Sequence, residues 1–489
     1  MLFNSHIFML LFLPLLLAGW YFLNWKKKFQ LAQGYLIGMS LWFYAYANLQ
    51  YLWLLLFSCL IGWLLSCLPE KIFSEKGKKV LTGVGCVFHL GLLGYFKYSN
   101  FFLENLNTVF HTDFPMLQIL LPVGISFYTF QQLAYLIDRC RGDAPRDSFF
   151  DYLTFMVYFP QLLQGPILLR SEFMGQLKEP ERRRFHAERF SEGIQFFVFG
   201  LAKKVLLADT LAKAVNYGYS NVSMLDSISA LLLAVGYLTE LYFDFSGYCD
   251  MAVGLGKMIG LEVAENFDAP FHSASVKEFW RRWHMTLGRF FTRYVYIPLG
   301  GNRRGKMRTL CNVMIVMLLS GLWHGAAWTF VLWGFLHGVG MIWDNLEHPH
   351  LPKKWMRQAA TFAYVCMTFV FFRAESIAQG FDVLKSIVSL KWNGFVFQMA
   401  SALDMTECYM ITKALSMKLP GLLSWFWLGI FVVLIAICFR VLSGEKVSGV
   451  VALKRQKGYG RLYPVLLAVL FTWSMISMTG VSEYLYFSF

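Results

Sequence analysis

Charge is scarce in this 489-residue chain. Asp, Glu, Lys and Arg make up 15% of it and only 30 residues are acidic, whereas soluble domains carry roughly a quarter charged residues. The remainder is 57% hydrophobic and 18% aromatic, which excludes an ordinary soluble enzyme. Several catalytic signatures are missing too. No G-x-S-x-G or H-E-x-x-H occurs, so the chain does not read as a membrane protease, and the lack of a P-loop argues against ATP-driven transport. The nine cysteines show no C-x-x-C or Cys/His ligand spacing, so neither a disulfide framework nor a metal site is expected.

Apolar runs about long enough to cross a bilayer recur from end to end. The expected fold class is therefore all-α, a polytopic membrane protein forming one membrane-embedded domain over 1–489. The net charge of +14 comes from short basic segments between these runs, the positive-inside pattern rather than a nucleic-acid patch. Segments 26–28, 70–79, 139–146, 170–189, 277–284, 302–308, 353–357 and 445–461 are assigned to the cytoplasm. Segments 99–115, 209–224 and about 375–420 carry little positive charge and face outward. The first run lacks a basic start and is followed by Lys26, Lys27 and Lys28, so it reads as a retained span rather than a signal peptide.

The alternation closes at about twelve crossings, with both termini outside, once two irregular segments are admitted. The run 148–168 has cytoplasmic-type segments on both sides and contains Pro160, Gly165 and Pro166. It is expected to dip into the membrane and return, which broken backbone can do only inside protein or beside a wet cavity. The run 309–345 is long enough for two helices and should be a hairpin turning near "GLWHGAAW".

Ten histidines are present, and position sorts them. His6, His111, His186, His348 and His350 fall near ends or loops, His89 reads as a packing residue, and His272 carries no specific chemistry. His284, His324 and His337 remain. An ionisable residue in a span costs a few kcal/mol and is a functional hypothesis by default. Around His324, Gly321, Gly325, Ala326 and Ala327 clear space for a substrate or a helix. The competing reading is a packing histidine bonded to a carbonyl, and His337 is assigned that kind of role. In helical register, Trp280, Trp283, His284 and Leu287 share one face while Lys277 and Arg281 share another. Such a helix could hold a nucleotide-like group by stacking and phosphate pairing. An interfacial helix with snorkelling bases fits equally well. Gly254, Gly256 and Gly260 imitate a dinucleotide fingerprint, but no strand precedes them, so close helix packing is expected instead.

The stretches "ENFDAPFHSASVKEFWRRWHMTLGRFFTRYVYIPLGGNRRG" and "LLSGLWHGAAWTFVLWGFLHG" resemble the membrane-bound O-acyltransferase family. "LPVGISFYTFQQLAYLIDRCRG", "YFPQLLQGPI" and "YFDFSGYCDMAVGLGKMIG" support the resemblance, closest to the bacterial branch that O-acetylates alginate and peptidoglycan. It covers about residues 80–345, with further spans and an aromatic tail over 355–489. The resemblance implies a fold with a central tunnel in the bacterial cytoplasmic membrane. It implies acyl transfer from a cytoplasmic thioester such as acetyl-CoA, with His324 catalytic and His284 at the family's second polar position. Arg281, Arg282 and Trp283 then become the donor-binding residues. The tail "SEYLYFSF" is similar to one whose tyrosine carries the acyl group as an ester. The matching position is Tyr486, with Tyr484 as the alternative. An esterase-like, SGNH-type partner outside the cell would pass the group to a polysaccharide. One departure stands out. Relatives carry an Arg-Asp pair before the tyrosine matching Tyr294, and here those places hold Thr292 and Arg293. Two rival readings stay open: D-alanyl transfer to teichoic acid, and a non-enzymatic transporter or flippase.

Overall fold

A computed structural model describes residues 1–67, 75–346, 353–443, 447–457, 460, 462–478 and 484–485. Every regular element among them is helical. Six helices among the described residues are long and apolar enough to cross a membrane: Phe8–Trp25, Leu49–Cys67, Lys76–Phe110, Ser227–Ile259, Lys306–His324 and Pro420–Phe439. Trp328–Trp343 and Leu462–Ser477 are shorter apolar helices. Other apolar stretches form shorter or more polar helices. Phe29–Asn48 is one of these. Its Gln33 donates to Asp151 Oδ1 and Thr154 Oγ1, both at 2.9 Å.

The 33-residue helix Ser227–Ile259 organises the interior. Asp226 and Ser229 start it with reciprocal backbone caps of 2.8 and 2.9 Å, which satisfy donors the first turn leaves unpaired. Gly260, at φ +89°, ends it. Its packing against Ala187–Ala202 depends on two glycine pairs seven residues apart. A Cβ on Gly254 would lie 2.6 Å from the Gly193 carbonyl oxygen, and one on Gly247 would lie 2.7 Å from that of Gly200. The glycines around 254 therefore serve backbone-to-backbone packing, as expected of small residues between helices. Gly254→Leu is expected to cost about 3 kcal/mol through overpacking, read as a lowered melting temperature and a lost monodisperse peak in detergent.

Two segments have the backbone breaks that their sequences predict. Phe149–Met156, capped by Ser148, gives way at Val157 to the four-residue helix Phe159–Leu162. Residues 154–168 are buried throughout, so this broken backbone is enclosed by protein. Lys306–His324 and Trp328–Trp343 form the expected hairpin. Its turn is an extended link, from Gly325 at φ −158° to Ala327 at φ −150°. Gly321 and Gly334 let the two helices touch, since a Cβ on either would meet the opposite backbone within 2.5 Å.

The helical register expected through Trp283 and His284 is wrong. Val276–Arg282 and Met285–Phe291 are separate short helices. Trp283 between them is extended, and His284 is left-handed at φ +46°. The loop before them causes the break. Asn266 Oδ1 accepts from the Thr286 amide at 3.0 Å and from its hydroxyl at 2.8 Å. The Asn266 carbonyl takes the Met285 amide at 3.0 Å, and Arg282's carbonyl takes the Asp268 amide at 2.9 Å. These bonds replace the ladder a continuous helix would have formed.

Candidate active site

Two of the predicted histidines come together around one indole. His324 is the last residue of the hairpin's first helix and is 4% exposed. Its ring centre lies 4.8 Å from Trp323, 5.2 Å from Trp333 and 5.1 Å from Phe372. His284, 1% exposed, packs edge-on to Phe245 at 4.7 Å and lies 6.2 Å from Trp323. Aromatic walls hold both imidazoles in a dry setting, where edge-to-face contacts fix ring orientation. His337 is different. Trp280 donates its indole N–H to His337 Nδ1 at 3.2 Å. Because an indole only donates, Nε2 must carry the ring proton, and it gives that proton to Thr368 Oγ1 at 2.9 Å. Both nitrogens are occupied in holding helices together, so His337 is structural.

Two cavities border this region. One, of about 50 Å³, is lined by His324, Trp323, Lys97, Leu163 and the segment 121–127. The other is an apolar groove of about 540 Å³ lined by Phe196, Lys203, Tyr242, Asp250, Asn266 and residues of 434–473. Asn266 joins groove to site, since its Oδ1 lies 3.4 Å from His284 Nδ1. The line Asn266, His284, Trp323, His324 thus runs from one cavity to the other.

The three neighbours expected to bind the donor have separate fates. Arg281 is exposed. Arg282 pairs with Glu278 at 2.9 Å and reaches the Asp268 carbonyl at 3.3 Å. Trp283 is 2% exposed, with Phe279, Phe267 and Tyr242 rings 5.1 to 6.0 Å away. It offers no open face to a nucleotide base, which corrects the stacking role expected of it. Tyr294 and Arg293 meet an aspartate from another helix. Asp138 accepts the Tyr294 hydroxyl at 2.9 Å and pairs with Arg293 at 3.0 Å.

The tail enters the protein. Tyr484 is fully buried, its ring 4.6 Å from the Lys204 ammonium and edge-on to Tyr248 at 5.1 Å. The Leu485 amide donates to Asp244 Oδ2 at 3.1 Å. Lys204 in turn pairs with Asp244 at 2.6 Å and Asp209 at 2.8 Å. Tyr484 is therefore bound inside the protein, not laid along an interface. Tyr486 lies outside the described residues. Sequence reading overlooked Lys204, Asn266 and Lys97. Lys97 had a signal, a lysine within the apolar stretch "LLGYFKYSNFF".

Residues 141–380 match the membrane-bound O-acyltransferase family. A peptidoglycan O-acetyltransferase of Helicobacter pylori is 35% identical over 423 residues, 80% of each chain. A probable alginate O-acetylase of Azotobacter vinelandii is 39% identical over 389 residues, 77% of this chain and 76% of that one. A teichoic acid D-alanyltransferase of Bacillus subtilis is 28% identical over 271 residues, 52% of this chain and 69% of its own length.

Proposed function

Because the chain belongs to the membrane-bound O-acyltransferase family, we propose that it moves an acetyl group from cytoplasmic acetyl-CoA to its own Tyr486, for delivery to a polysaccharide outside the bacterial cytoplasmic membrane. The observation that carries this reading is the buried tail. Leu485 is bonded to Asp244, and the next residue of that helix, Phe245, packs its ring on His284. The described residues that precede Tyr486 are thus tied to the helix whose Phe245 walls His284. The acetyl relatives, aligned over about three quarters or more of this chain, favour acetyl over D-alanyl, whose enzymes align over about half.

In this reading His324 is the general base. A phenol ionises near pH ~10, so at neutral pH it needs a base to become a nucleophile. His324 takes the Tyr486 proton as the phenolic oxygen attacks the thioester carbonyl. The carbon–sulfur bond then breaks, and the imidazolium returns the proton to the departing thiolate. The products are an acetyl ester on Tyr486 and free CoA. His284, held by Asn266, orients the reacting groups from the groove side. Exposed Arg281 meets the CoA phosphates. An extracytoplasmic SGNH-type partner takes the acetyl group onto its own hydroxyl and passes it to a polysaccharide hydroxyl, regenerating the tyrosine.

The test is release of CoA thiol by purified protein given acetyl-CoA, with and without the partner. Tyr486→Phe is expected to abolish the partner-dependent turnover, while Tyr484→Phe keeps it above background. Full turnover in Tyr486→Phe contradicts the carrier role, and D-alanyl carrier protein outcompeting acetyl-CoA contradicts the donor.

A further inference from the structure

We propose that Lys97, assisted by Tyr98, is the positioning residue of His324: a clamp on the end of the hairpin's first helix that fixes the imidazole against the cavity. The proposal rests on the reading of His324 as the base. Its ground is the set of donors that two adjacent residues bring to the last turn of that helix. That helix ends at His324, and the extended link that follows carries the next amides away. The carbonyls of Leu322, Trp323 and His324 therefore lose the partners a continuing helix would supply. Tyr98 Oη donates to the Leu322 carbonyl at 2.6 Å. The Lys97 ammonium donates to those of Trp323 at 2.7 Å and His324 at 2.9 Å. Three consecutive carbonyls at the helix end thus accept from two adjacent residues.

The local backbone is shaped for this. Lys97 and Tyr98 close a π-helical segment, Gly94–Tyr98, between the helices Glu75–Leu93 and Ser99–Phe110. The extra residue per turn shifts the register and turns both side chains onto the hairpin, and such bulges often sit at functional sites. The choice of residue also matters. A glycine-ended cap satisfies terminal carbonyls with backbone amides alone, whereas an ammonium within a span is costly. Here the positive charge meets the negative end of a helix and stands in the wall of the same small cavity that His324 lines. The expense falls where it serves a reacting centre.

Replacement of the ammonium should free the helix end and let the imidazole drift, and a misplacement of about 1 Å can cost about 100-fold in rate. Lys97→Met is thus expected to lower kcat for acetyl transfer about 100-fold while KM for acetyl-CoA stays within about 3-fold. Lys97→Arg restores charged donors and is expected to recover at least about 10-fold of that loss. Tyr98→Phe removes one neutral bond and should cost about 3- to 10-fold in kcat. Wild-type kcat per folded molecule in Lys97→Met overturns the clamp, as does a loss confined to KM. If Lys97→Met yields no folded protein, Tyr98→Phe decides, and wild-type kcat there overturns it. His324→Ala run alongside separates the two ideas. Activity retained in His324→Ala defeats the base assignment, whereas an inactive His324→Ala beside a fully active Lys97→Met defeats the clamp alone.

Discussion

His324→Ala is expected to lower acetyl transfer about 1,000-fold, within the range by which a positioned acid or base accelerates a step. The corresponding loss of transition-state stabilisation is about 4 kcal/mol. The fall should appear in kcat, because in the proposed mechanism the ring acts on the reacting hydroxyl and not on the distant nucleotide. His324→Gln keeps most of the side-chain volume in the cage of Trp323, Trp333 and Phe372 but supplies no base. Its kcat should fall equally while its thermal midpoint stays near wild type. His337→Gln is the contrast. Its two ring bonds, to Trp280 and Thr368, join three helices, so its loss should lower the melting temperature and leave kcat per folded molecule within a few-fold. Inversion of that pattern would move the catalytic role from His324 to His337.

The second large effect concerns Lys204. Its ammonium is buried with Asp244 and pairs with Asp209. Removing one partner of a buried ion pair strands the other charge and costs about 3–5 kcal/mol. Lys204→Met should therefore melt well below wild type. Replacing both partners with apolar residues is often neutral, so Lys204→Met combined with Asp244→Leu should regain much of the melting temperature. It should not regain acetyl transfer. The double variant lacks the cation under the Tyr484 ring and the acceptor for the Leu485 amide, which together hold these two residues in place. A protease should then remove the C-terminal residues from the double variant faster than from wild type. If the double variant both melts and turns over like wild type, the buried ion pair has no part in docking the tail.

What the sequence made legible was local or carried by small residues. The hairpin around His324 followed from length, flanking charge and the Gly and Ala run at its turn. The broken 148–168 segment followed from Pro160, Gly165 and Pro166. The glycines of the central helix pointed to packing because no strand preceded them. What stayed hidden depended on partners far along the chain. Apolar periodicity from 276 onward favours one helix, and bonds from the loop at Asn266 and Asp268 break it at His284. That break also turns Trp283 into the core and away from any nucleotide. The burial of Tyr484 depends on Asp244 and Lys204, some 240 and 280 residues before it. Lys97 was visible as a costly lysine in a span, but its task needed the three carbonyls 224 to 227 residues away.

The central claim is that Tyr486 carries the acetyl group on its way across the membrane. Its most direct test is mass spectrometry of the C-terminal peptide after wild-type protein meets isotopically labelled acetyl-CoA without the extracytoplasmic partner. The account predicts one labelled acetyl ester on Tyr486, lost on mild alkaline treatment, absent in His324→Ala and cleared when the partner is added. Release of CoA by an active wild-type enzyme with no label on Tyr486 would contradict it.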